Sequence, residues 1–545
     1  MENMEYSKHL YKTFMESLLV SLSLFAILLI IQLKGIDIGL YDIDIWRYVH
    51  IGDANENIKN ALFLAKGGKL NEYVTSNHMP GVYLYLSLFF SILPNDFFSN
   101  SASNAIVIQM VSQFVSIFTI VVLSFFSIRL VVKEIYSTFF LKFLFCLIFL
   151  NLFVFYDYTR VLSETYLPFL QLTYLSLFYY YLSDRKLHFA YLVAAIYFIA
   201  LSIFFGLTNV FTDLIFLVSF LFFLLQDIKK IKFLHFIPAV IILVFLFFKS
   251  GNLNFQYWII ETNKAQGLGS GFQMLNTIWS NISFFPSNIF NIHSFGPVYD
   301  HRLFVCALGC ICIYLCRQNL VLVSFLGITI LILPLDSWRI PEMGNISSSQ
   351  TYKTDVNMGV CFFFLLIIGQ KSIHRIESVF LFAIKKFSFN FGSYGKRWLV
   401  LLIVFISLTQ VLSFVTQLIE IKKTISLNHS TWIAQENLCK QKFVKPNHNC
   451  SCLSVMHWDQ EFFLINNVRP CANQFSSYSP HLNSDDTYFK TVEASFVNKE
   501  GAFLLNHTDL YTDKSILSDR LVQLFQSGEC KSVYTNLLYL CKSKK

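Results

Sequence analysis

AIVIQMVSQFVSIFTIVVLSFFSI, residues 105–128, is a long apolar run without a single charged residue. A bilayer core of about 30 Å requires roughly 20 mostly apolar residues per helix, so this run is long enough to cross a membrane. Similar runs recur along the chain, which has 545 residues, of which 55% are hydrophobic and only 14% charged. A soluble fold has no interior large enough for so much apolar surface. We therefore expect a polytopic α-helical membrane protein.

The orientation of the spans follows from the short basic loops, because Lys and Arg beside a span are retained in the cytoplasm. With the N-terminus in the cytoplasm, the loops at Arg129, Arg185, Lys229 and Arg317 all fall on that side. Topology therefore explains the net charge of +8, and no nucleic-acid partner is expected. About eleven transmembrane helices are predicted, at about 18–33, 105–128, 138–155, 165–182, 189–206, 208–225, 233–248, 303–316, 319–335, 356–370 and 398–418.

The chain divides into two predicted parts. Residues 1–418 form the membrane domain, whose first external loop covers about 34–104 and contains a short apolar run, Val82–Leu93, expected as an interfacial helix. Residues 419–545 are more polar and are expected as a small extracytoplasmic α/β domain, since short apolar runs alternate there with an amphipathic segment.

Six cysteines lie in this C-terminal part. Their even number, without a histidine spacing that completes a zinc pattern, favours disulfides in an oxidising compartment, and six unpaired thiols are the alternative. The connectivity is open, and one possible pair joins Cys530 to Cys541 across the last hairpin. The six candidates are Cys439, Cys450, Cys452, Cys471, Cys530 and Cys541.

The first external loop holds the richest candidate segment, GDANENIKNALFLAKGGKLNEYVTSNHMPG, residues 52–81. Ala54–Lys66 has helical apolar spacing, and Gly67 and Gly68 are expected to end the helix. Such a helix can lie on the membrane surface and hold Asp53 at its N-terminus, where the helix dipole favours an anion. Asp53 is therefore a candidate catalytic carboxylate, and a capping role is the alternative.

These residues resemble the glycosyltransferase C superfamily, which includes protein O-mannosyltransferases and the aminoarabinose transferases of lipid A. The resemblance rests on three stretches. The first is an acidic residue followed by Ala, a Gly-Gly break, a Tyr and a His-x-Pro-Gly turn. The second, residues 156–186, has an Arg and a Ser-Glu that enter a span. The third is WDQEFFLINNVRPC, residues 458–471. The residues of the first stretch are Asp53, Ala61, Gly67, Gly68, Tyr73, His78, Pro80 and Gly81.

The resemblance implies an inverting membrane glycosyltransferase that takes its sugar from a polyprenyl-phosphate-linked donor. Asp53 would be the catalytic base, and Glu164 would be the second acidic residue of the site. The chain departs from the family pattern at Ala54, where a Glu commonly follows the Asp, and at His78, which stands in place of the Lys in a Lys-Pro-Pro turn.

Transfer from such a donor requires deprotonation of the acceptor and stabilisation of the departing phosphate. The cationic residues His78, Arg160 and Arg302 are candidates to bind that phosphate. Asp42 and Asp44 form an Asp-x-Asp beyond the first span and are candidates for a divalent cofactor, Mg²⁺ or Mn²⁺. Solvated surface carboxylates are the alternative for this pair.

The expected partners are the polyprenyl-phosphate sugar donor, membrane lipid and an extracytoplasmic acceptor, which is a glycan, a lipid or a protein. The lack of an elaborate targeting sequence favours a bacterial plasma membrane. A multi-pass transporter or flippase is a competing function, against which the few charged residues inside the spans argue. A polysaccharide polymerase also competes, and the pattern from Asp53 to Pro80 argues against it.

Overall fold

In the computed structural model, the described residues are 11–27, 53–69, 79–93, 102–132, 135–155, 161, 163–183, 189–206, 209–250, 302–332, 358–385 and five short strands after residue 451. They form twelve α-helices, with two 3-10 turns, Ile228–Lys230 and Phe233–Phe236, between α8 and α9. The helices are α1 (11–27), α2 (Asp53–Ala65), α3 (Gly81–Phe90), α4 (Ala102–Val131), α5 (Ile135–Phe155), α6 (Ser163–Ser183), α7 (Phe189–Phe205), α8 (Val210–Gln226), α9 (Ile237–Ser250), α10 (Arg302–Leu315), α11 (Leu320–Ile332) and α12 (Met358–Lys385).

Helices occur at ten of the eleven predicted span positions, and the last position, 398–418, lies outside the described residues. Within the described part, one segment, Met110–Val131, is both long enough and apolar enough to cross a membrane. Seven further apolar stretches have only 10 to 17 residues. At 1.5 Å per residue such stretches reach about 15 to 26 Å, less than a bilayer core of about 30 Å. Helices are therefore confirmed at ten of the predicted positions, whereas membrane length together with sufficient apolar composition is found at Met110–Val131 alone among the described residues.

Helix α6 is the centre of the helical part. Every residue from Thr165 to Tyr179 is buried, and α6 packs against α4, α7 and α12. Aromatic rings form much of this packing, and the rings of Phe178 and Phe220 stack with their centroids 3.9 Å apart. Because α6 contacts so many neighbours, it fixes where the ends of the other helices lie.

In this helical part several polar side chains are buried, whereas many large apolar side chains are exposed. Gln171, Thr173 and Ser176 of α6 are fully buried. Large apolar side chains are exposed instead along α8, α9 and α11, including Val218 at 67% and Leu331 at 77%. Continuous exposed apolar faces of this kind mark contact with another protein or with a membrane.

The two helices of the predicted first external loop are packed among other helices. Helices α2 and α3 pack against each other and form an apolar cluster with the beginning of α6 and the end of α7, in which Ile58, Val82, Tyr166 and Phe205 are buried. Their packing shows that these two helices are covered by other helices, which the amphipathic pattern did not predict, because such a pattern identifies one apolar face but does not report what covers the other; their position at a membrane surface stays a prediction.

Helix α12 is longer than its apolar part. The apolar stretch, Met358–Lys371, agrees with the span predicted at 356–370, whereas the helix itself runs on to Lys385. Charged residues mark where a membrane ends, and they do not by themselves end a helix. Residues 371–385 contain neither proline nor glycine, so nothing in the sequence breaks the helix there.

The C-terminal part contains a five-stranded mixed sheet in the order β2-β1-β3-β5-β4. Strand β1 is parallel to β2 and β3, whereas β5 is antiparallel to β3 and β4. The register places Cys530 directly opposite Cys541, and opposed Cα atoms of antiparallel strands are separated by about 4.5 to 5.5 Å, within the range of a disulfide. Cys439, Cys450 and Cys471 lie outside the described residues. The strands are β1 (Cys452–Met456), β2 (Arg469–Pro470), β3 (Ala502–Asn506), β4 (Cys530–Tyr534) and β5 (Leu538–Lys542).

Candidate functional site

Helix α2 begins at Asp53 and ends as its sequence predicts. Gly67 adopts φ +90°, and its N–H donates to the carbonyl of Leu64 at 3.2 Å. The N–H of Gly68 donates to the carbonyl of Phe63 at 2.9 Å. These two bonds form a Schellman motif, in which a glycine takes the left-handed conformation that other residues avoid. The predicted helix end is confirmed, and Asp53 occupies the first helical position.

The polar side of α2 is buried together with its apolar side. Asn57, Lys59 and Asn60 are at most 2% exposed. The amide of Asn57 donates to the carbonyl of Val161 at 2.8 Å. The amide oxygen of Asn57 and both amide atoms of Asn60 have no hydrogen-bond partner among the described residues. Buried polar groups are seldom left without a partner, so this part of α2 is a candidate ligand-contact surface.

The bond from Asn57 to Val161 joins the first predicted external loop to the second. Asp53 lies one helical turn before Asn57, and Glu164 lies three residues after Val161, at most about 11 Å of chain away. The structure therefore brings together the segments that carry the two predicted catalytic carboxylates. The side chains of Asp53 and Glu164 themselves lie outside the described part.

The beginning of α6 has a feature that the sequence analysis overlooked. Pro168 lies inside the helix, and a proline has no N–H to donate. The residue four positions earlier is Glu164, so its main-chain carbonyl lacks the usual helical donor. The first turn of α6 is consequently held by fewer hydrogen bonds than the rest of the helix, at the position of the second predicted carboxylate.

A close contact between α3 and α7 explains the glycine of the His-x-Pro-Gly turn. A β-carbon on Gly81 would lie 2.7 Å from the carbonyl oxygen of Phe204 and 2.8 Å from the Cα of Phe205. Both atoms belong to the main chain and cannot rotate away, so only glycine fits. Met79 and Pro80 are also buried, whereas His78 lies outside the described residues.

Two tyrosines, the buried Tyr166 and the partly buried Tyr85, lie near this contact. Tyr85 is hydrogen-bonded to Thr119, and Tyr166 is hydrogen-bonded to Ser116 with their oxygens 2.5 Å apart. The tyrosine rings meet edge to face at 6.0 Å, and both also contact Phe205. This cluster fixes α3, α4, α6 and α7 relative to one another. Its signal in the sequence is weak, because Ser, Thr and Tyr are common in apolar helices.

A buried carboxylate in α8 was also missed by the sequence analysis. Asp213 is fully buried and accepts a hydrogen bond from the Tyr174 hydroxyl at 2.9 Å. Ser202 lies beside the carboxylate, and Asn209 lies one turn earlier in the chain, with both of its amide atoms lacking a partner in the described part. The only sequence signal is a single acid in the apolar run VFTDLIFLVSFLFFLL.

The remaining predicted site residues are not brought to this region by any described contact. Arg302 is the first residue of α10, which packs against α11 and α12, and its side chain is outside the described part. Asp42, Asp44 and Arg160 lie outside the described residues altogether. Among the residues described, no cluster of three or more His, Cys, Asp or Glu side chains is arranged to hold a metal ion.

No protein-family model, no curated protein and no solved structure matches this chain. The interpretation of the site therefore depends on the residues and contacts of this chain itself.

Proposed function

We propose that this protein transfers a sugar from a polyprenyl-phosphate-linked donor to an extracytoplasmic acceptor, with inversion at the anomeric carbon. The observation that carries the proposal is the hydrogen bond from Asn57 to the carbonyl of Val161. It supports a shared site because it holds the beginnings of α2 and α6, and with them positions 53 and 164, in one region.

The proposed architecture is a membrane domain of about eleven helices with a cytoplasmic N-terminus, in a bacterial plasma membrane. The exposed apolar faces of α8, α9 and α11 support a lipid environment. The C-terminal sheet is proposed to belong to an extracytoplasmic α/β domain. A Cys530–Cys541 disulfide in protein purified without reductant would support that location, since such bonds persist in oxidising compartments.

In the proposed reaction the acceptor attacks the anomeric carbon while its proton passes to the carboxylate of Asp53. The bond from the anomeric carbon to the phosphate oxygen breaks, and its electron pair leaves with the polyprenyl phosphate. Cationic residues are proposed to stabilise that phosphate, namely Arg160, His78 and Arg302. Glu164 is proposed to orient the acceptor. Asp42 and Asp44 are retained as candidate ligands for Mg²⁺ or Mn²⁺, and no step is assigned to that ion.

Transport of a lipid-linked solute is the competing function, and one observation favours it. Asp213 is a buried carboxylate in an apolar helix, and ionisable residues in such places mark ion or substrate pathways in membrane proteins. A flippase would move a labelled lipid-linked sugar across proteoliposomes without transferring it.

The test is transfer of a radiolabelled sugar from a panel of polyprenyl-phosphate donors, in membranes that contain the wild type, Asp53→Asn or Glu56→Gln. Each substitution removes one negative charge from the first turn of α2, so both weaken the same helix-dipole interaction. We expect Asp53→Asn to lose about 100-fold or more of the activity, and Glu56→Gln to retain it.

Retained activity in Asp53→Asn would remove the proposed base. Absence of transfer from every donor by folded wild-type protein would instead favour transport or polymerisation of a longer lipid-linked saccharide.

A further inference from the structure

A second site is indicated at the opposite end of the helical part. A cavity of about 870 Å³ lies between α1, α4, α5, α6 and α7. It is lined at one side by Tyr180 of α6, whereas the candidate functional site lies next to Val161, just before the same helix begins. About 28 Å of helix separates these two positions, close to the thickness of a bilayer core.

The described residues that line the cavity carry an excess of positive charge. Lys12, Arg129 and Lys142 are cationic, and Glu16 is the one acidic residue among them. Glu16 is hydrogen-bonded to Lys142 and also pairs with Arg129, with an N–O distance of 3.7 Å. Lys12 lies one turn before Glu16 on α1 and also lines the cavity, so three cations and one carboxylate border the same space.

The rest of the lining is largely apolar. Phe126, Leu130, Phe139 and Phe143 contribute apolar walls, and the ammonium of Lys142 lies 4.6 Å from the centre of the Phe125 ring. Phe139 and Phe143 are among the large apolar residues that are exposed on the outside of the protein, at 74% and 53%. The cavity thus combines a cationic region with an apolar region that continues onto an exposed apolar face.

We propose that this cavity binds an anionic membrane phospholipid, with the headgroup phosphate at Lys12, Arg129 and Lys142 and the acyl chains along the phenylalanines. Basic pockets between membrane helices on the cytoplasmic side bind such headgroups. A free phosphate has the same charge but would leave the apolar walls without an occupant. The proposal depends on the membrane location and is independent of the transfer reaction.

The experiment measures binding of phosphatidylglycerol and phosphatidylcholine to the full-length protein by native mass spectrometry, and their effect on the thermal unfolding midpoint. We expect phosphatidylglycerol to bind more tightly and to raise the midpoint further. Lys12→Gln should weaken phosphatidylglycerol binding about fivefold, the effect of one basic residue near a phosphate. The control Lys229→Gln removes an exposed positive charge outside the cavity and should leave this preference unchanged.

A second variant, Cys146→Phe, keeps every charge but fills the apolar part of the cavity. It should abolish the preference for phosphatidylglycerol. Equal binding of the two lipids, or equal losses in Lys12→Gln and Lys229→Gln, would overturn the proposal. If inorganic phosphate raises the midpoint as much as the lipid does, and Cys146→Phe leaves that increase intact, the cavity is a free-anion site and the lipid assignment is wrong.

Discussion

The two ends of α6 use polar residues in different ways. At its beginning, Asn57 and Asn60 are neutral, fully enclosed and only partly hydrogen-bonded within the described residues. Near its end, Glu16 pairs with two cations at a partly exposed position. Unsatisfied buried groups reduce stability unless a ligand or water satisfies them, whereas ion pairs hold helices together. The first end therefore has the character of a binding site for a reactant, whereas at the second end the same charged residues join helices and line the proposed phospholipid site.

The largest effect is expected from Gly81→Ala, at the beginning of α3. The added methyl group would overlap main-chain atoms of Phe204 and Phe205, so α3 and α7 must separate. Such overpacking costs about 3 kcal/mol of unfolding free energy. Gly327→Ala is the control, because a β-carbon there meets nothing within 4 Å. Equal thermal unfolding midpoints for the two variants would show that α3 does not pack against α7 in this way.

A smaller loss of stability is expected from Glu16→Gln, at the other end. It leaves Arg129 and Lys142 without their shared carboxylate, which costs about 2 kcal/mol, between the values for exposed and buried pairs. The same change makes the cavity more positive, so the stabilisation by phosphatidylglycerol should increase. Transfer activity should not change. If the variant is present in the membrane at the wild-type level but transfers sugar more slowly, the two ends of α6 do not act independently.

The structure at the two ends of α6 could be predicted from the sequence to different extents. The limits of α2 were predicted within a residue or two, because apolar spacing and the Gly67-Gly68 stop are local signals. The burial of Asn57 was not, since it depends on Val161, which is 104 residues away in the chain. The Glu16 cluster was missed for the same reason: its members come from three helices, and each looks like an isolated basic or acidic residue at or near the end of a span.

Asn57→Ala tests the contact between the two predicted loops. It removes the donor to the buried carbonyl of Val161, which costs about 1 to 2 kcal/mol. Asn60→Ala is the matched control, because Asn60 is equally buried on the same helix but has no partner in the described part. We expect Asn57→Ala to be the less stable variant in thermal unfolding, with reduced sugar transfer. If Asn60→Ala loses as much stability, the bond to Val161 is not what holds α2.

The smallest effect on stability is expected from Asp213→Asn. The remaining amide oxygen can still accept the hydrogen bond from Tyr174, so the change should be below about 1 kcal/mol. Tyr174→Phe removes the donor instead and keeps the carboxylate. If Asp213 only joins α6 to α8, both variants should retain sugar transfer, and Tyr174→Phe should be the less stable. Asparagine preserves the shape of this side chain and its hydrogen bond with Tyr174 but removes the negative charge. If solute movement in proteoliposomes is lost in Asp213→Asn and not in Tyr174→Phe, the charge of Asp213 belongs to a transport pathway.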